Sequence, residues 1–225
     1  MRGCFVTGTD THVGKTRVAA GLLRAYARRG IRAVGMKPVA SGAHPTADGL
    51  GNEDALLLQS VAGMPRPYSL VNPYVFAPAI APHIAAAEVG VEISLETITA
   101  AYAGLVRGAE AVVVEGAGGW QVPLSATLAL PDLVRALGLP VVLVVGLRLG
   151  CISHALLSAR AIRADGLSLA GWVANAVDAG FERSAANIES LEKVLTVPLL
   201  GQLPHAQTMA LDAVADALGG ALERI

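Results

Sequence analysis

The strongest constraint on this chain is a series of short, almost wholly apolar runs that alternate with helical repeats from end to end. Ala111–Glu115 and Val141–Gly146 show no polar–apolar alternation, so strands formed there must be covered on both faces. Gly3–Thr7, Ala33–Pro38, Gly171–Asn175 and Pro198–Gly201 have similar strand character, and Tyr74–Phe76 adds a shorter run. Between them the period is helical. After Lys15, the residues Val18, Leu22 and Tyr26 share a face while Arg17, Arg24 and Arg28 point away, and Gly30 supplies a stop. Ile152, Ala155, Leu156, Ala159 and Ile162 repeat the pattern, and Pro131 with Asp132 reads as a helix start. The pattern predicts an α/β fold: a single domain over residues 1–225 with a mostly parallel sheet and helices on both faces. Ser41–Gly51 and Gly63–Pro82 read as irregular. The second is long for a connector, which marks it as a functional loop.

Composition narrows the partners. Aromatic residues are 4% and the net charge is −1, which argues against a nucleic-acid surface. Mean hydropathy is +0.54, yet the longest apolar run, Leu139 to Leu147, contains Pro140 and Gly146 and falls far short of the roughly 20 residues of a membrane span. A glycine-rich turn follows within seven residues of Met1, leaving no room for a signal peptide, and Cys4 and Cys151 form no CxxC. The expectation is a cytoplasmic protein that acts on small molecules.

Gly8-Thr-Asp-Thr-His-Val-Gly14-Lys15-Thr16 sits between a strand and a helix, the context of a phosphate-binding loop. Backbone N–H groups and the helix N-terminus would face phosphate oxygens, Lys15 the β/γ-phosphates, and the Thr16 hydroxyl a magnesium ion. Five residues separate the two glycines where four is usual, so Thr9 takes the place of the first glycine. A magnesium nucleotide also needs carboxylates. Glu115 ends an apolar strand just before Gly116-Ala-Gly-Gly119, and Asp54 opens the predicted helix Asp54–Val61, where it can equally serve as a helix-terminal charge. Lys37 closes the second strand at the sheet edge where α/β proteins bind ligands; the alternative is a surface lysine. Asn175 closes another strand, where its amide can pair with both edges of adenine or simply shape a turn. The loop to Pro204-His205-Ala206 would border the same pocket.

Together these motifs resemble the dethiobiotin synthetases. The resemblance lies in Phe5-Val-Thr-Gly-Thr-Asp-Thr11 with Val13-Gly-Lys-Thr16, Lys37-Pro-Val-Ala-Ser-Gly42, Val71-Asn-Pro-Tyr74, Val114-Glu-Gly-Ala-Gly-Gly-Trp120, Leu143-Val-Val-Gly146 with Leu149-Gly-Cys-Ile152, and Leu169-Ala-Gly-Trp-Val-Ala-Asn175. It implies ATP- and Mg²⁺-dependent closure of 7,8-diaminopelargonic acid with CO2 through a phosphorylated carbamate. Lys15 and Lys37 would be catalytic, and Thr16, Asp54 and Glu115 would hold the metal. Nucleotide contacts would come from Thr11, His12, Val13, Gly14, Lys15, Thr16, Arg17, Asp54, Glu115, Gly116, Ala117, Gly118, Asn175, Pro204, His205 and Ala206. Substrate contacts would come from Thr11, Ser41, Leu149, Gly150, Cys151 and Ser153, the last four across a homodimer interface. His12 stands where the family often has an acid, and Glu53 beside Asp54 leaves open which of the two reaches the metal.

Two other readings share the fold class. A glutamine-dependent synthetase would need a glutaminase domain, which 225 residues leave no space for and which a partner chain would have to supply. A partitioning ATPase would carry an extra lysine early in the loop, where this sequence has Thr9-Asp10-Thr11, and the final helix around Leu211–Leu222 reads as ordinary packing.

Overall fold

The computed structural model describes residues 1–205 and 209–225. In chain order its strands are β1 (Arg2–Gly8), β2 (Ala33–Met36), β3 (Val39–Ser41), β4 (His44–Thr46), β5 (Gly49–Gly51), β6 (Tyr74–Phe76), β7 (Ala111–Glu115), β8 (Val141–Leu147), β9 (Leu169–Ala176) and β10 (Leu199–Leu203). Its helices are α1 (Lys15–Arg28), α2 (Glu53–Val61), α3 (Tyr68–Val71), α4 (Pro82–Glu88), α5 (Leu95–Leu105), α6 (Leu130–Leu137), α7 (Cys151–Ala164), α8 (Ser184–Leu195) and α9 (Leu211–Leu218), followed by a 3₁₀ segment, Gly219–Glu223. Six strands form one parallel sheet in the order β10-β9-β8-β1-β7-β2.

The unbroken apolar runs are explained by two cores, one on each face of this sheet. Along β7, Val112 and Val114 enter one core while Ala111 and Val113 enter the other; along β8, Val141, Leu143 and Val145 separate in the same way from Val142 and Val144. The period of two is present, but both phases are buried, so both are apolar. The first core is closed by α5, α6, α7 and α8 through Ile98, Leu133, Ala155 and Leu191. The second is closed by α1 and α9 through Val18, Leu22, Tyr26, Val214 and Leu218. Burying each such side chain contributes roughly 1.5–3 kcal/mol. No helix among the described residues is long and apolar enough to cross a membrane.

Several boundaries differ from expectation. β2 ends at Met36 rather than Pro38, because Pro38 has no N–H and the Lys37 N–H turns to the Val71 carbonyl. α2 begins at Glu53, with the Asn52 side chain capping it through the Ala55 N–H. The two segments read as irregular hold short elements: an unexpected β4–β5 hairpin in the first, and in the second an unexpected α3 beside the expected strand Tyr74–Phe76, β6. Three- and four-residue elements carry too few side chains to show a period. Arg24 and Arg28 point away from the buried face of α1 as expected and remain exposed, yet they pair with Asp212 and Asp216 of α9. The C-terminal helix packs as expected, with Val214, Ala215 and Leu218 buried, although its last turn is 3₁₀.

Candidate active site

All the loops that bear chemistry leave the sheet at the same edge. β1 delivers the phosphate loop, β2 delivers Lys37, β7 delivers Glu115 and β9 delivers Asn175, each at or just past the C-terminal end of its strand. In a parallel sheet this is where helix N-termini and loop amides face a ligand. A cavity of about 810 Å³ opens there.

The phosphate loop is closed on itself. Gly14 caps α1 with φ of 93°, and a Cβ there would lie 2.2 Å from the Asn175 amide nitrogen, so only glycine fits. The Asp10 carboxylate accepts from the Thr11 N–H at 2.7 Å and pairs with Arg148 at the end of β8. The carbonyl of Asp10 accepts from Lys15 Nζ at 2.9 Å. Burial, reinforced by the nearby Lys37 charge, pulls the Lys15 ammonium down to about 8. His12 adopts a left-handed conformation with φ of 59°, which is uncommon outside glycine.

Lys37 lies at the centre of the acidic cluster. Its ammonium donates to Glu115 Oε1 at 2.6 Å, to Asp54 Oδ2 at 2.9 Å and to the Gly116 carbonyl at 3.2 Å, and only 4% of the residue is exposed. Burial works against its charge, but the Glu115 and Asp54 carboxylates outweigh it and hold the ammonium above the ordinary lysine range. Burial likewise raises the Glu115 carboxyl, against the pull of Lys37. The Thr16 hydroxyl donates to the same Glu115 oxygen at 2.8 Å. Glu115 Oε2 is buried with no protein partner, as is Ser41 Oγ. Buried polar atoms of this kind call for a ligand.

This donor set fits a magnesium ion. Thr16, Asp54 and Glu115 bring hard oxygens to one point, one of them unpaired. Among the described residues no group of three or more His, Cys, Asp or Glu side chains gathers, so nucleotide and water oxygens would have to complete the shell. At the start of α2, Asp54 lines the cavity and pairs with Lys37, while Glu53, one residue earlier, is exposed.

The cavity wall brings together Thr11, His12, Gly14, Lys15, Thr16, Lys37, Ser41, Asp54, Glu115, Ala117 and Gly118 of the expected residues. Others lie beside it. Arg17, expected on the outer face of α1, donates to Asn175 Oδ1 at 3.1 Å and to the Pro204 carbonyl at 3.2 Å. Asn175 Nδ2 donates to the Val13 carbonyl at 2.8 Å. The Asn175 amide is thus held at its oxygen by Arg17 and at its nitrogen by the Val13 carbonyl, and the residue is buried beside the cavity. Gly116 contributes through its carbonyl, His205 is exposed, and Ala206 lies outside the described residues. Leu149, Gly150, Cys151 and Ser153 are absent from the cavity wall of the single chain.

Comparisons with known proteins follow the same lines. A family model described as an AAA domain matches residues 2–211. The ATP-dependent dethiobiotin synthetase BioD of Xanthomonas euvesicatoria pv. vesicatoria is 54% identical over 220 residues, covering 98% of this chain and 97% of the relative. The ATP-dependent dethiobiotin synthetase BioD of Pseudomonas aeruginosa strain UCBPP-PA14 is 54% identical over 216 residues, 96% of this chain and 95% of the relative. The chain belongs to the dethiobiotin synthetase family. The MinC:MinD cell division protein complex of Aquifex aeolicus matches in structure with a TM-score of 0.61 at 10% identity, covering 100% of this chain and 95% of that one. At such identity the likeness is one of fold alone.

Sequence reasoning missed several residues around this dethiobiotin synthetase-family cavity. Asn52 lines the cavity and caps α2; its place one residue before a pair of acids was a capping signal. The stretch Ala79, Ile80, Ala81 and Pro82 also forms part of the wall; it ends the segment Gly63–Pro82 expected to be a functional loop, but its apolar residues carry no chemical signal that singles them out. Asp10 and Arg148 meet only through the fold, 138 positions apart.

Proposed function

We propose that the protein closes 7,8-diaminopelargonic acid and CO2 into dethiobiotin at the expense of ATP, and that it does so in the cytoplasm as one catalytic domain and as a homodimer. The observation that carries this reading is the convergence of Lys15, Lys37, Thr16, Asp54 and Glu115 on one cavity, in a chain 54% identical to dethiobiotin synthetases. One amine of the substrate adds to CO2 and loses a proton, giving a carbamate. The γ-phosphoryl group passes from ATP to a carbamate oxygen, and the second amine attacks the carbonyl carbon and expels phosphate as the cyclic urea forms. No covalent enzyme intermediate is required, so the protein's task is positioning and charge stabilisation.

The loop amides and Lys15 bind the phosphates, Lys37 balances charge on the carbamate and the moving phosphoryl group, and the unpaired Ser41 hydroxyl binds the diamine end. A magnesium ion held by Thr16, Asp54 and Glu115 would neutralise the phosphate charge. Asn175 and Arg17, with the segment at Pro204, would serve the base. The N-terminus of α7 (Gly150, Cys151 and Ser153, preceded by Leu149) would serve the distant carboxylate of a substrate bound to the second subunit. Incubation with the diamine, bicarbonate, ATP and Mg²⁺ should yield dethiobiotin by mass spectrometry, one ADP and one phosphate per product. Vigorous ATP turnover without the diamine would overturn the reading.

Two further outcomes are expected. Lys15 must be charged to hold phosphate, and its ammonium titrates at about 8. Nucleotide affinity should therefore be flat below that value and fall by up to about tenfold per pH unit above it. Binding should take up a proton, seen by calorimetry in buffers of different ionisation enthalpy; an affinity constant from pH 7 to 10 would contradict this. Leu149, just before α7, is 90% exposed and Leu157, within α7, 62%. Leu157→Asp should therefore give a monomer by sedimentation and raise KM for the diamine. An unchanged dimer would remove this face from the interface.

A further inference from the structure

Lys37 lies one residue past the end of β2, an edge strand, where the sheet ladder no longer holds its backbone. Its peptide groups are held instead by the segment at the end of α3. The Lys37 N–H donates to the Val71 carbonyl at 2.8 Å, and the Lys37 carbonyl accepts from Asn72 Nδ2 at 2.6 Å. The same amide nitrogen donates to the Tyr74 carbonyl at 3.0 Å, which fixes the orientation of the Asn72 side chain. Its oxygen then accepts from the Tyr68 hydroxyl at 2.9 Å, and that hydroxyl accepts from the Asn52 N–H at 2.8 Å. Asn52 in turn donates to the Ser41 carbonyl at 3.2 Å and caps α2, the helix whose second residue is Asp54. Asn52 and Asn72 are both buried, and every donor and acceptor in the chain of bonds has a single consistent role.

We propose that Tyr68, Asn72 and Asn52 are positioning residues, a relay that sets the spacing between the strand end carrying Lys37 and the helix start carrying Asp54. The relay rests on the reading above, in which Lys37 and Asp54 serve the reaction. It gives the Val71-Asn-Pro-Tyr74 motif a function that its sequence did not suggest. The Tyr68 hydroxyl is its single link between the two sides. None of the three side chains bonds to the phosphate loop, so the relay acts on the acidic cluster and not on the nucleotide grip. Small displacements of a charge-stabilising group cost rate steeply.

The test is Tyr68→Phe, which keeps the ring and removes only the shared hydroxyl. The chain has three lysines, Lys15, Lys37 and Lys193, so the buried Lys37 ammonium can be identified in ¹⁵N-detected spectra by its loss in Lys37→Ala. In Tyr68→Phe that resonance should shift or broaden, and kcat per nucleotide-binding site should fall by about ten- to hundredfold while KM for ATP stays within about twofold. An unmoved Lys37 resonance would overturn the relay, and so would a kcat loss matched by an equal loss of nucleotide-binding sites, which marks a merely structural role. Failure of the wild-type protein to make dethiobiotin would sink the functional reading instead, and the ammonium resonance would still decide the relay.

Discussion

Replacing Lys37 with alanine is expected to lower dethiobiotin formation by about 10³-fold or more, the scale of losing a preorganised charge from the reacting centre. The reason lies in where its ammonium sits. It contacts both carboxylates of the cluster and shares the cavity with Lys15, where the proposed reaction would gather negative charge. The same substitution has a second consequence that does not depend on turnover. Glu115 is fully buried, and without Lys37 the hydrogen bond left to its carboxylate is that from the Thr16 hydroxyl. Breaking a buried pair in this way costs about 3–5 kcal/mol. A divalent cation can supply the missing charge, so Mg²⁺ should raise the melting temperature of Lys37→Ala more than that of the wild type. Retained activity would mean that Lys37 has been given the wrong role, and an unchanged melting temperature would deny the buried pair its structural part.

Glu115→Gln is the second large effect expected. The substitution keeps shape and volume but removes a carboxylate from the point where Thr16 and Lys37 meet. It also places an NH2 group where Lys37 and Thr16 both need an acceptor, unless the amide rotates and turns that NH2 toward the unpaired Oε2 side. Changing a group that merely supports a metal ligand costs 10- to 100-fold, so loss of the ligand itself should lower kcat by about 10²-fold or more and weaken Mn²⁺ binding measured by electron paramagnetic resonance. The Lys37 ammonium, left with Asp54 and the Gly116 carbonyl, should titrate lower than in the wild type. Activity and Mn²⁺ affinity both within twofold of the wild type would remove Glu115 from the metal site.

What could be read in advance was what local context makes unusual. A lysine closing Ala-Val-Gly-Met, a glutamate closing Ala-Val-Val-Val and a Gly-Lys-Thr between strand and helix are hard to explain as packing, and all of them line the cavity. The parallel sheet was legible because strands buried on both faces lose the polar half of their pattern. Less legible was whatever depends on register or on distant partners. Glu53 and Asp54 are interchangeable in sequence and differ only by the turn of a helix that separates adjacent side chains by about 100°. Arg17 looked like a solvent-facing residue of α1, and only its neighbours from β9 and the segment at Pro204 show that it holds Asn175. Asn52 reads as a helix cap, Asn72 as a turn residue and Tyr68 as an ordinary aromatic, and none of these readings links the three. Their bonds span 4 to 35 positions, and no periodicity reports them.

The central claim is that two ammonium groups and a divalent ion meet at the terminal phosphate of ATP. A crystal structure with Mg²⁺, a non-hydrolysable ATP analogue and the diamine tests it most directly. Lys15 Nζ and Lys37 Nζ should each lie within about 3 Å of a γ-phosphate or carbamate oxygen, with the ion bound by Thr16, Asp54 and Glu115. A Lys37 ammonium still resting on Glu115 and far from both groups, or an ion bound elsewhere, would contradict the account.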